Sequence, residues 1–147
     1  MSALPALRAV RTLGGRAVAA ALLLLAAAAP ASEPSELTTV LRCEPAPVPG
    51  RVRCALALEV GENLRFSWVD ALVVRAPAFA RPLRSRVPQR KLSGQDSKAE
   101  VLLALLASGT GRGTLTVRAR AVACTRAVPA ACRPLSREAS VELEVGR

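Results

Sequence analysis

The chain has 147 residues, a formal net charge of +10, 51% hydrophobic and 2% aromatic residues, and no histidine. Without an imidazole, Ser-His and Cys-His nucleophile pairs and histidine metal sites are unavailable. What remains is a small aliphatic chain of the size of one ordinary domain, and the elements are taken in order below.

Residues 1–31 read as a cleavable secretory signal. Arg8, Arg11 and Arg16 stand in a segment without acids, the apolar run Ala17 to Ala29 follows, and Ala29-Pro30-Ala31 offers small residues for cleavage. The run has about 13 residues, short of the roughly 20 needed for a spanning helix. An uncleaved anchor is the alternative. No cysteine lies at the cleavage point for a lipid anchor, and Arg8 and Arg11 are not adjacent as a twin-arginine signal requires. The expectation is a signal over 1–31 and one domain over 32–147, without a transmembrane segment, exported to the periplasm or the extracellular space. Removing the three signal arginines leaves about +7. Because nearly all of this is arginine in a sequence rich in Ala, Leu, Val and Pro, base-composition bias accounts for the basicity as well as any polyanion does.

Beyond the signal the hydrophobic pattern has period two. A weaker strand is expected over Glu36 to Cys43. The clearest runs from Arg51 to Val60, with Val52, Cys54, Leu56, Leu58 and Val60 on one face and Arg51, Arg53, Ala55, Ala57 and Glu59 on the other. Further strands are expected over Trp68 to Arg75, Phe79 to Val87 and Ala99 to Ala107. The last is rich in Ala and Leu and also reads as the start of a helix; a strand fits better among neighbouring strands and short loops. Thr114 to Ala123 alternates Leu115, Val117, Ala119 and Ala121 against Thr116, Arg118 and Arg120. Ala139 to Val145 alternates Val141, Leu143 and Val145 against Ser140, Glu142 and Glu144. One wet and one buried face is the mark of antiparallel sheets. About seven such strands joined by turn-forming segments predict an all-β, immunoglobulin-like antiparallel β-sandwich.

Cys43, Cys54, Cys124 and Cys132 all follow the signal, and an even count in a short exported chain points to disulfides. No metal is expected, since the chain lacks both histidine and a C-x-x-C spacing. A hairpin turning at Val48-Pro49 would set Cys43 opposite Cys54, and Cys124 with Cys132 would close a short loop between the last two strands. The immunoglobulin-type alternative links Cys54 to Cys124 around Trp68. Strand phase opposes it, because Cys54 falls with the inward Val52 and Leu56 and Cys124 with the outward Arg118 and Arg120. A bulge near Ala121-Val122-Ala123 would reverse that phase.

Two further segments invite functional readings. Gly109-Thr110-Gly111-Arg112-Gly113 has the look of a phosphate-cradling loop, but it leads into a strand and lacks the helix dipole such loops use; a hairpin turn is the expectation. Arg81, Arg84, Arg86, Arg90 and Lys91 form the densest basic run. A solvated edge strand accounts for it, since arginine and proline discourage edge pairing, and with only Phe79 nearby for stacking no nucleic-acid partner is expected.

The tail from Gly113 to Val145 carries one resemblance. Its G-T-L-T-V strand runs to Cys124, and Cys132 follows after a short loop with Pro134 just beyond and then the final strand. This is similar to the end of the N-terminal periplasmic domain of the DsbD thiol:disulfide reductases, an immunoglobulin-like sandwich. In that family the two cysteines shuttle electrons, so the resemblance implies a dithiol in which Cys124 attacks and Cys132 resolves. The family usually has an aromatic before the first cysteine, and none stands near Cys124 in this sequence. The leading expectation is a non-enzymatic domain with structural disulfides that binds a protein partner and needs no cofactor. The dithiol carrier is the alternative, and the sequence leaves oligomeric state open.

Overall fold

The computed structural model describes residues 36–89 and 96–146. The signal expected over 1–31 and Arg90 and Lys91 of the basic run lie outside the described residues. Eight strands follow one another: β1 (Leu37–Cys43), β2 (Gly50–Val60), β3 (Leu64–Arg75), β4 (Ala80–Pro82), β5 (Arg86–Pro88), β6 (Lys98–Ala107), β7 (Gly111–Thr125) and β8 (Cys132–Val145). They form two four-stranded sheets, a first sheet in the order β1-β2-β6-β4 and a second in the order β5-β3-β7-β8. All strand pairs are antiparallel. Placing the first, second and fifth principal strands in one sheet and the third, sixth and seventh in the other is the immunoglobulin arrangement.

Alternation does what the sequence pattern implies. Val52, Leu56, Leu58 and Val60 of β2 and Val101, Leu103 and Leu105 of β6 form the inner surface of the first sheet. Leu115, Val117, Ala119 and Ala121 of β7, with Leu143 and Val145 of β8, form that of the second. Phe66 is fully covered between them. Each aliphatic side chain so buried contributes roughly 1.5–3 kcal/mol, which a chain poor in aromatics must collect from many small residues. A parallel bridge from Ala46 to Val145, and a hydrogen bond of 2.8 Å from the Gly146 amide to the Ala46 carbonyl, fasten the β1–β2 loop to the end of β8.

The segment 98–107 is a strand, as preferred over the helix. Three expectations are corrected. Phe79 to Val87 is not one edge strand but two: β4 pairs with β6 in the first sheet and β5 with β3 in the second. Pro82 and Pro88 each lack an amide for a ladder. Between them the Leu83 amide still bonds to Ala104 and the Ser85 carbonyl accepts from Val73, so the chain passes from one sheet to the other. The basic run is divided with it.

The glycine-rich segment is likewise no hairpin, because β6 and β7 belong to different sheets. Its glycines make room for the chain crossing over them. A Cβ on Gly111 would lie 2.8 Å from the Phe79 ring, and one on Gly113 would lie 2.9 Å from Pro77 Cβ.

Finally, β8 begins at Cys132 rather than near Ala139 and runs beside β7 through fourteen paired positions without a shift. Its first half was hidden because an edge strand there shows mostly polar side chains, among them Arg133, Ser136, Arg137 and Glu138. Arg137 falls on the inward phase opposite Ala119, and Pro134 stands near the strand's start; both discourage pairing with another chain at this edge.

Candidate functional site: the two outer faces

Both bridges are cross-strand pairs. Cys43 faces Cys54 and Cys124 faces Cys132 in direct register, with Cα separations of 4.0 and 3.9 Å. The neighbouring positions carry the ladder hydrogen bonds, Glu44 amide to Arg53 carbonyl and Thr125 amide to Ala131 carbonyl. Each cysteine pair therefore occupies a non-hydrogen-bonded site, where opposed residues come closest. The local connectivity is the one adopted, and the Cys54–Cys124 alternative is not. Phase separates the two bridges. Cys54 is buried on the core face of the first sheet, whereas Cys124 shares the outward phase of Arg118 and Arg120 and ends in an exposed Cys132. No bulge interrupts β7 against β8; β3 shifts register against β7 between Val73 and Arg75 and, nearer the outer bridge, at a bulge between Phe66 and Trp68.

That bulge decides which way Trp68 faces. Phe66 points into the core, and simple alternation would send Trp68 there too. The extra residue at Ser67 reverses the phase, so Val69 and Ala71 are buried inward while Trp68 pairs with Val122 on the outer face. Trp68 is thus not the core aromatic expected of an immunoglobulin signature. Its partner Val122 lies two residues before Cys124 on β7, and the residue that directly faces Cys124 is Arg65. The guanidiniums of Arg86 and Arg120 each lie 5.8 Å from the Trp68 ring centroid, a cation–π arrangement.

Beneath the arginines sits Asp70, with no exposed surface. Arg120 donates to it through Nε at 2.8 Å and through a second nitrogen at 2.5 Å, a two-pronged contact, and Arg86 Nε donates at 2.5 Å. Burial pushes the Asp70 carboxyl up, but hydrogen bonds and charge from Arg120 and Arg86 outweigh it and hold the group below its ordinary range. The same hydrogen bond raises Arg120. A carboxylate fixed between two permanent cations is poorly suited to proton transfer and well suited to pinning β3, β5 and β7 together.

Compensation continues along this face. Arg118 pairs with Glu138 at 2.6 Å, and Arg112 with Glu142 at 2.8 Å and Glu144 at 3.0 Å. Thr116 and Ser140 share a hydrogen bond of 2.9 Å. The hydrogen bond to Glu144 raises Arg112 further. Each is a directly opposed or diagonal cross-strand pair of β7 and β8, the arrangement that stabilises a sheet.

The outer face of the first sheet is built differently. Across β1, β2 and β6 its rows read Val40–Ala57–Glu100, then Arg42–Ala55–Leu102, then Arg53–Ala104; the next joins Arg51, Leu106 and Arg81 through β4. Leu102 is 69% exposed. Among the described residues Arg42, Arg51, Arg53 and Arg81 take part in no ion pair or side-chain hydrogen bond. Arg42, Arg51 and Arg53 border a shallow groove of about 570 Å³ whose floor includes Ala55, Leu102 and Ala104. The period-two pattern showed Arg51 and Arg53 as outward; only strand pairing brings Arg42 and Arg81 to the same surface. Among the described residues no group of three or more His, Cys, Asp or Glu side chains could hold a metal ion, and no helix is long and apolar enough to cross a membrane.

No protein-family model matches the chain, and no curated protein matches it. Among solved structures, the ASH / PapD-like domain of human CEP192 (PapD-like domain 7) is similar to it at 13% identity, over 77% of this chain and 89% of that one, with a TM-score of 0.33.

Proposed function

We propose that this is an exported, non-enzymatic immunoglobulin-like domain that acts by binding a protein partner, with its two disulfides serving as permanent staples. The observation that carries the reading is the outer face of the first sheet, where Arg42, Arg51, Arg53 and Arg81, none of them in an ion pair, stand around an exposed leucine. Arginine and aliphatic groups left unpartnered on one face suit a surface that another protein covers. Export is supported by the signal pattern over 1–31 and by two disulfides of the kind formed in oxidising compartments.

The test places a photo-crosslinking residue at Leu102 in the full chain expressed in its native host. A covalent adduct with a specific protein, absent when the same group replaces exposed Val74, is the expected result. No adduct, or equal adducts from both positions, overturns the reading. Mass spectrometry of the same material should find a chain beginning at Ser32 with both bridges formed.

One observation favours a second reading. The Cys124–Cys132 bridge ends in an exposed Cys132, as a disulfide open to exchange would require. A redox titration separates the two. A staple gives a potential below about −300 mV, whereas an exchange protein sits well above it.

A further inference from the structure

We infer that the groove on the outer face of the first sheet receives an extended acidic segment of the partner protein, with carboxylates at alternate positions and small apolar residues between them. The inference rests on the partner-binding reading above and names the partner's chemistry. Arg51 and Arg53 project from the same face of β2, two residues apart, and are therefore separated by roughly 6.5–7 Å along the strand. Alternate side chains of an extended peptide repeat at the same interval, so successive carboxylates of an acid–x–acid segment meet successive guanidiniums. Arg42 on β1 and Arg81 on β4 widen the basic border on either side.

Residue type points the same way. The free cations bordering the groove are arginines, whose planar fork takes a carboxylate through two parallel hydrogen bonds. The floor is Ala55, Ala104 and exposed Leu102, which leaves room for small apolar side chains and offers no aromatic platform for a nucleobase. The site is a groove rather than a convex basic tip, which suits a single chain better than a lipid bilayer. Glu44 faces Arg53 across the ladder at the β1 side of the groove and Glu100 lies in the Val40 row, so the path open to an acidic segment runs past Arg53 and Arg51 on the β2 side.

The experiment titrates the full chain, as recovered after export, with a short peptide alternating glutamate and alanine. The matching peptide has glutamine in place of glutamate, and phosphatidylglycerol vesicles serve as the lipid probe. The glutamate peptide is expected to bind with an affinity that falls as salt rises. Arg53→Glu and Arg42→Glu should each weaken it at least about tenfold. Arg75→Glu makes the same charge change on the other sheet and should leave binding unchanged. Urea midpoints of all three variants should match the parent, since these arginines hold no partner in the fold. Equal binding of the glutamine peptide, an equal loss in Arg75→Glu, vesicle binding that depends on Arg42 and Arg53 while the peptide is ignored, or no peptide binding at all would each overturn the inference. If the peptide fails while the Leu102 adduct persists, the groove binds a partner of other chemistry. If both fail, the partner-binding reading falls with it.

Discussion

The two outer faces of this sandwich carry the same kind of side chain and use it in opposite ways. On the β5-β3-β7-β8 face, Arg112 and Arg118 of β7 are paired with acids across the ladder, and a buried aspartate ties three strands through Arg86 and Arg120. On the β1-β2-β6-β4 face, four arginines stand around small aliphatic residues and take part in no ion pair among the described residues. Charge that is matched within the fold stabilises it modestly and is screened from partners. Unmatched charge adds little to stability and remains available for recognition. Composition alone could not separate these cases, because both faces read as arginine-rich.

The comparison is most severely tested through the bridges. Replacing Cys43 and Cys54 together by alanine removes a closed loop in the unfolded chain and also opens space at the buried Cys54. Urea denaturation should show a loss of about 3–4 kcal/mol. Replacing Cys124 and Cys132, of which Cys124 is buried outside the core cluster and Cys132 is exposed, should cost about 2–3 kcal/mol, mainly from the loop term. A larger loss for the outer pair would show that it does more than close a loop.

Next comes Asp70. Asp70→Asn leaves Arg86 and Arg120 facing a neutral amide, but both arginines reach solvent, with side chains 56% and 36% exposed. The penalty should therefore fall well short of that for a fully enclosed pair, at about 1–2 kcal/mol near neutral pH. The pH dependence follows from the lowered carboxyl. Near the ordinary aspartate value of about 4 the unfolded chain binds more protons than the folded one. Stability from Asp70 is thus fully present above that value and is lost as pH falls through the lower folded value. The Asn variant should lack this part of the acid slope, and an unchanged slope between the two proteins would sink the assignment.

Smaller effects complete the contrast. Arg118→Ala removes an exposed cross-strand pair and should cost under about 1 kcal/mol, less still in high salt. The smallest effect is expected at Arg42, where alanine should shift the urea midpoint by no more than about 0.5 kcal/mol in either direction. If Arg42→Ala proved as costly as Arg118→Ala, the first face would have a structural use for its arginines and the division drawn here would fail.

Much of the fold was legible locally. Val52 to Val60, Leu115 to Ala121 and Val141 to Val145 announce their inward faces through period two, and the turn at Val48-Pro49 places Cys43 against Cys54 by counting alone. The failures share a cause. Phe79 to Val87 looks like one strand because nothing in its composition says which sheet each half joins. The start of β8 was missed because an edge strand is covered on one side and shows little hydrophobic signal. The face that Trp68 takes was not legible because a one-residue bulge leaves no mark in the pattern. Asp70 was an unremarkable aspartate until Arg86 and Arg120 arrived from positions distant in the chain.

The chain by itself determined its class and its principal strands and favoured local pairing of its cysteines, because alternation and short loops depend only on neighbours in sequence. Tertiary structure decided which arginines are matched and which are not, and which way Trp68 faces. Those outcomes depend on register between strands far apart in sequence and on a bulge that reverses phase, and neither has a local signature.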